Sequence, residues 1–259
     1  MQKILIVNAD DCNLTAGVTR AILKCHDQGI LSSTTFMANL PVRKAEIREL
    51  LKRRGLGIGI HLNVTLGKPV LAASRIPSLL AQDGKFRRRD SMLGKPPAFK
   101  ELAAEYTAQI ALFRNLFGRL PTHLDTHHQL HDHPVFFRAL GFAARRFGLP
   151  VRRSALMKGV PRRQRCGGLV VTDRLWGDLN PGGFWKPLAL EKTLRHLGPG
   201  VHEIMCHPGN LDRDLRALSS FTHGRDRERD LFARSSLRKQ LSGLGIRLSH
   251  YGMWYTWQK

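Results

Sequence analysis

Short apolar, β-rich runs alternate with amphipathic stretches of helical period along almost the whole chain, and this alternation constrains the fold more than any other feature. Strands are expected at 3–9, 32–37, 56–62, 122–125, 149–153, 201–206 and 246–250. Between them, helices are expected at 16–28, 43–53, 99–117, 134–147, 188–197 and 228–242. In the first, Val18, Ala21, Ile22 and Cys25 share a face and Gly29 supplies a stop; the stripe of the 99–117 helix is Leu102, Tyr106, Ile110, Phe113 and Phe117. A helix between successive strands implies parallel pairing with crossover connections. Seven or eight such units in 259 residues favour an α/β fold, a distorted (β/α) barrel, as a single domain over 1–259. Irregular excursions near 66–98 and 156–187 interrupt the pattern; the first, rich in Pro, Gly and Arg, reads as a long excursion or lid.

Barrels of this kind take their chemistry from the C-terminal ends of different strands. Here the first apolar run, Ile4-Leu5-Ile6-Val7, leads into Asn8-Ala9-Asp10-Asp11. Asn and Asp favour turns, which accounts for one of these carboxylates better than for two. His61 ends the 56–62 strand, where Gly57 and Gly59 share its face and leave room for a neighbour's bulk. His123, Asp125 and His127 would share a face if the next strand stays extended that far, and His207 follows the 201–206 strand. Any one of these histidines alone reads as a hydrogen-bonded core or surface residue. Taken together at three strand ends, Asp11, His61 and His127 read as a metal site. Two imidazoles and a carboxylate suit Zn, Fe, Mn, Co or Ni, and leave positions open for water and substrate.

Composition narrows the classes further. Hydrophobic residues make up 42% of the chain, enough for a sizeable core. No run approaches the roughly 18 apolar residues of a membrane span. Met-Gln-Lys before a short strand lacks the apolar core of a signal peptide, so a cytoplasmic protein without a membrane span is expected. Cys12, Cys25, Cys166 and Cys206 show no CxxC spacing, so neither a zinc knuckle nor a disulfide framework is signalled. Lys plus Arg number 42 against 20 Asp plus Glu, a formal charge of +22. The basic residues fall in short clusters such as Arg87-Arg88-Arg89 and Arg162-Arg163-Gln164-Arg165, with no nucleic-acid recognition module beside them. Nucleic acid is therefore expected to bind only non-specifically, through the basic surface. Only Arg152-Arg153 falls near a strand end where a substrate would touch it.

Four ordered motifs carry a resemblance. N-A-D-D at the first strand, G-I-G-I-H-L-N-V-T-L-G-K-P-V at the third, P-T-H-L-D-T-H-H at the fourth and M-C-H-P-G late in the chain are similar to the YdjC-like carbohydrate deacetylases, a family that includes the chito-oligosaccharide deacetylases. The resemblance covers nearly the whole chain. It implies a distorted (β/α) barrel, often a homodimer, that removes an N-acetyl group from an amino sugar or short oligosaccharide. One divalent ion, Mg or Zn, is implied with Asp11, His61 and His127 as its ligands. Asp10 is implied as general base and His207 as acid, with Asp125, His128 and Arg152 as candidate substrate contacts. The chemistry agrees: a metal ion can acidify water and polarise the amide carbonyl, while a carboxylate without a metal bond takes the water's proton. Two adjacent Asp residues let one bind the ion while the other acts as base.

The chain departs from the family pattern at Cys12-Asn13, where Phe-Gly is usual, and at Gln129, where a third consecutive histidine is usual. Both bear on substrate preference; Cys12 reads as a small packing residue in place of Phe. Three other classes fit parts of the pattern: a two-His, one-carboxylate Fe(II) oxygenase, a metal-dependent phosphodiesterase drawn by the basic charge, and a non-catalytic saccharide- or polyanion-binding protein on the same fold.

Overall fold

The computed structural model describes residues 2–158, 168–177 and 183–256; the cluster Arg162–Arg165 and Cys166 lie outside them. In chain order the elements are β1 (Lys3–Cys12), α1 (Ala16–Gln28), β2 (Ser33–Phe36), α2 (Lys44–Lys52), β3 (Gly57–Leu62), α3 (Arg89–Gly94), α4 (Phe99–Phe117), β4 (Leu124–Thr126), α5 (Pro134–Phe147), β5 (Arg174–Trp176), α6 (Pro187–Arg195), β6 (Gly200–Cys206), α7 (Arg213–Leu218), α8 (Arg225–Phe232), α9 (Ser236–Gly243), β7 (Ile246–Leu248) and α10 (Tyr251–Thr256). They fall into two compact units. One comprises Met1–Phe36, Lys44–Ile58 and Thr172–Lys259, the other Met37–Arg43 and Gly59–Val171.

In the first unit β1 is the central strand, buried on both faces from Leu5 to Cys12 as a parallel strand covered by helices must be. Its residues Lys3–Ala9 pair with β6, which in turn pairs with β5. Lys3–Leu5 also pair with β7, and Asn8–Cys12 with β2, every pairing being parallel. Helix α1 has the expected bounds. Thr15 Oγ1 accepts the Val18 N–H at 3.2 Å, the Gly29 N–H returns to the Cys25 carbonyl at 3.1 Å, and Val18, Ala21, Ile22 and Cys25 are buried.

Several expectations are corrected here. The strand expected at 3–9 continues to Cys12, so the Asp pair lies within β1 and not beyond its tip. The single helix expected over 228–242 is two, α8 and α9. The Ile30 N–H takes the Phe232 carbonyl at 3.2 Å, an acceptor that a continuing helix would use for Ser236. Strand β5 falls inside the excursion expected at 156–187. Helix α7, capped by Asp212 Oδ1 on the Leu215 N–H at 2.9 Å, and helix α10, which buries Tyr251 and Trp254, were not expected.

In the second unit the end of β3 pairs in parallel with β4, with Ile60 opposite Leu124, His61 opposite Asp125 and Leu62 opposite Thr126. Gly59 leaves the room anticipated: a Cβ there would lie 2.4 Å from the His123 ring, which is fully buried beneath it. Helices α4 and α5 keep their expected bounds, each closed by a left-handed glycine, Gly118 (φ 68°) and Gly148 (φ 65°). The strand expected at 149–153 shrinks to one parallel bridge, Leu124 to Val151. Pro150 has no N–H with which to extend the ladder on the β4 side; the Val151 N–H, on the opposite edge, meets the Val170 carbonyl at 2.9 Å. The 66–98 excursion is folded onto α4. Glu105 accepts the N–H groups of Val70 and Leu71 at 2.9 and 3.1 Å, and Glu101 accepts that of Ser78 at 2.7 Å. Among the described residues no helix is long and apolar enough to cross a membrane.

Candidate functional site

In the first unit β1 ends in an irregularity: its register against β2 slips between Ala9 and Cys12, and Asp11 sits in the left-handed region at φ 65°. A non-glycine residue held there costs about 1–3 kcal/mol, a strain that persists only where surrounding contacts over-determine it. Those contacts are visible. Arg225, on α8 and only 2% exposed, donates from a terminal nitrogen to Asp11 Oδ2 at 2.7 Å. Asp10 Oδ1 accepts from Asn8 Nδ2 at 2.9 Å, and Asp10 Oδ2 lies 3.8 Å from His207 Nε2. His207 is half-buried, just past the end of β6. Asp10 and His207 are thus brought together, while Asp11 meets the Arg225 guanidinium.

His207 is fixed through its backbone. Its N–H donates to Glu228 Oε2 at 2.6 Å, and the other oxygen of Glu228 accepts the Trp185 N–H at 2.9 Å. Burial pushes the Glu228 carboxyl above the ordinary glutamate range, with His207 the largest influence in the other direction. Cys12, beside the Asp pair, is fully buried, and desolvation pushes its thiol up to about 12, so it is an inert packing residue.

In the second unit the strand register does the positioning. His61 and Asp125 face each other across β3 and β4, and His61 Nδ1 meets Asp125 Oδ1 at 2.7 Å. The other oxygen of Asp125 receives Arg152 at 3.0 Å. Asp125 and Arg152 have no exposed surface at all, so this is a buried His–Asp–Arg chain. With its Nδ1–H given to a carboxylate, His61 presents the Nε2 lone pair, and Nδ1 of His127 lies 3.3 Å from that atom. Two ring nitrogens so placed share one proton or one cation. A carboxylate-anchored imidazole beside a second imidazole is the donor chemistry that borderline divalent ions select, so the residues present fit such an ion. His127 opens a short 3₁₀ turn, His127–Asp132, in which His128 and Gln129 are left-handed. His128 is exposed, stacks on His127 at 3.8 Å between centroids and meets Thr65 Oγ1 through Nδ1 at 3.0 Å. His123, beside Gly59, and Asp125, beside His61, lie on one face as expected; β4 ends at Thr126, so His127 meets His61 from the turn that follows and not from an extended strand.

Neither Arg225 nor Glu228 stands out in the sequence. They lie in Arg-Asp-Arg-Glu-Arg-Asp, where every position is charged and no apolar spacing reveals which side chains turn inward.

In fold the chain is similar to a solved protein of Enterococcus faecalis V583 named for cellobiose-phosphate cleavage, with a TM-score of 0.84, 29% identity, and coverage of 97% of this chain and 98% of that one. The class is thus α/β, of the distorted (β/α)-barrel kind. The model of the family described as YdjC-like protein matches residues 4–243, and the chain belongs to that family. Among its relatives, a carbohydrate deacetylase of Geobacillus stearothermophilus is 32% identical over 257 residues, covering 98% of this chain and 99% of the relative. A chitooligosaccharide deacetylase of Yersinia enterocolitica is 31% identical over 97% of this chain and 99% of its own length.

Proposed function

We propose that the whole chain, 1–259, is one catalytic domain that hydrolyses the N-acetyl group of an amino sugar or short oligosaccharide. The observation that carries this reading is the buried His61–Asp125–Arg152 chain with the His127 nitrogen facing His61 Nε2, in a family whose relatives are named carbohydrate deacetylases. Asp11, His61 and His127 are the ligand set for one divalent ion, Mg or Zn. When bound, such an ion polarises the amide carbonyl and acidifies water.

The remaining work falls to the chain's own groups. Asp10, beside the Asp11 ligand but with its oxygens on Asn8 and His207, takes the proton of the attacking water. As that water's oxygen bonds to the carbonyl carbon and the C–N bond then breaks, His207 Nε2 gives its proton to the leaving amine, so acetate and a free amino sugar result. Asp125 and Arg152 are too deeply buried to touch substrate, and their role is to hold the His61 ring and its tautomer. His128, exposed beside His127, is the substrate contact of that trio. A homodimer in the cytoplasm completes the reading, with nucleic acid bound only non-specifically.

The test is acetate release from N-acetylated mono- and oligosaccharides, with Zn, Mg, Mn, Co and Ni in parallel after chelation. Release with at least one metal and none in chelator is expected. No release with any metal and any sugar would sink the proposal.

A further inference from the structure

We infer that Phe221 is the platform on which the sugar ring bearing the acetamido group rests, a subsite that deepens the deacetylase reading and depends on it. Phe221 lies between α7 and α8, half-buried, and its ring meets the His207 imidazole at 71° with centroids 5.4 Å apart. His207 is the group that protonates the leaving amine, which requires that nitrogen within about 2.6–3.2 Å of Nε2. The amine is attached directly to the sugar ring. The Phe221 ring packs against that imidazole, so a sugar whose amine reaches Nε2 comes within reach of it.

The Phe221 segment is held with more bonds than an idle surface loop needs. Ser219 Oγ accepts the Phe221 N–H and donates to the Phe221 carbonyl, both at 3.2 Å. Arg225 Nε donates to the same carbonyl at 2.7 Å, its guanidinium carbon lies 5.3 Å from the ring centroid, and its other arm is on Asp11 at 2.7 Å. Gly224 closes the segment at φ 97°, where a Cβ would lie 2.5 Å from Phe184. One buried cation thus ties a partly exposed aromatic ring to the Asp11 carboxylate. A pyranose presents a C–H face that an aromatic ring can bury and hydroxyl edges that stay wet, so the ring offers shape and apolar area without competing for the polar groups around Asp10 and His207.

The variants are Phe221→Leu, which keeps apolar bulk but removes the flat face, and Phe221→Trp, which keeps the face. Binding of N-acetylglucosamine and N,N′-diacetylchitobiose is measured by calorimetry on chelator-treated protein, and KM and kcat are measured on the metal-loaded enzyme. Loss of a stacked aromatic contact is expected to weaken binding and raise KM about tenfold in the Leu variant. The kcat pH profile should stay where it was, and Trp should restore binding. Equal binding by wild type and Leu variant overturns the platform, as does wild type that binds neither sugar. A fall in kcat with KM and binding unchanged also overturns it, since that outcome belongs to a residue that only positions His207. Wild type that binds both sugars, with the Leu variant about tenfold weaker, but with no acetate released under any metal, refutes the deacetylase reading and leaves Phe221 as a sugar contact only.

Discussion

His61 in the second unit and Asp11 in the first are each gripped by a buried ion pair, but the grips are built differently. His61 is held by its register partner on the neighbouring strand, Asp125, which is held in turn by Arg152. Three side chains stand in line and the backbone beneath His61 is ordinary strand. Asp11 is held from 214 residues away by Arg225, and its own backbone is strained at φ 65° within an interrupted pairing. The regular half follows from strand geometry, whereas the strained half depends on a helix far along the chain. A site that needs two neighbouring carboxylates with different partners cannot take them from a plain strand, where successive side chains point to opposite faces. The slip between Ala9 and Cys12 breaks that alternation.

The largest effect expected from disturbing either half is loss of the metal. His61→Ala or His127→Ala should leave the fold intact, abolish divalent-ion binding in titration calorimetry and reduce acetate release to background. Stoichiometric metal in the double variant would show that the regular half is not a ligand pair. Next in size, Asp10→Asn should keep the ion and lose on the order of 10²-fold or more in rate, the usual scale for a positioned base. If Asp10→Asn loses the ion while Asp11→Asn keeps it, the two carboxylates have exchanged roles, and the strain at Asp11 serves the base.

A third variant probes how the regular half is supported. Asp125→Asn takes from Arg152 the carboxylate it meets at 3.0 Å and from His61 the carboxylate it meets at 2.7 Å. Breaking a buried pair from one side costs about 3–5 kcal/mol, read as a lowered urea midpoint. Metal affinity should also fall roughly 10- to 100-fold, as when an outer partner of a ligating histidine is removed. A variant as stable as wild type that binds metal equally well would mean that His61 needs no anchor. The contrast between the halves would then lie in the backbone alone.

How much was legible follows the same division. Helices α1, α4 and α5 have caps and apolar stripes written locally, so their bounds are readable. So is the use of Gly59 to admit a bulky neighbour. The identity of that neighbour, His123, was not readable, because it depends on which strand pairs with which. The break between α8 and α9 comes from the Ile30 N–H reaching the Phe232 carbonyl, a partner 202 residues distant. The shrinking of the 149–153 strand, by contrast, has a local sign, since Pro150 has no N–H to extend the ladder. At the candidate site the motif residues stand out in the sequence, since histidines and paired carboxylates at strand ends are uncommon. Their supports do not: Arg225 and Glu228 look like any charged helix surface until the fold turns them inward.

The smallest expected effect concerns pH, and it lies in the first unit away from the Asp pair. His202 on β6 is 5% exposed, and burial lowers its pKa from the ordinary histidine value. Its tautomer is set by its partners: Trp176 Nε1–H donates to Nδ1 at 3.3 Å, so Nε2 carries the proton given to the Gly198 carbonyl at 3.0 Å. Protonating Nδ1 would set two N–H groups against each other. In the unfolded chain the imidazole takes up its proton near pH 6.5, while the folded protein resists until a lower pH. Between those two values the unfolded state binds more protons, so stability rises with pH across that window and levels off above it. Replacing His202 with Gln, which can accept from Trp176 and donate to Gly198, removes the titration while keeping both bonds. The variant's Tm should therefore exceed that of wild type in mildly acid buffer by more than it does at pH 8. Two Tm profiles that run parallel from pH 8 to pH 5 would show that His202 titrates alike in folded and unfolded chains.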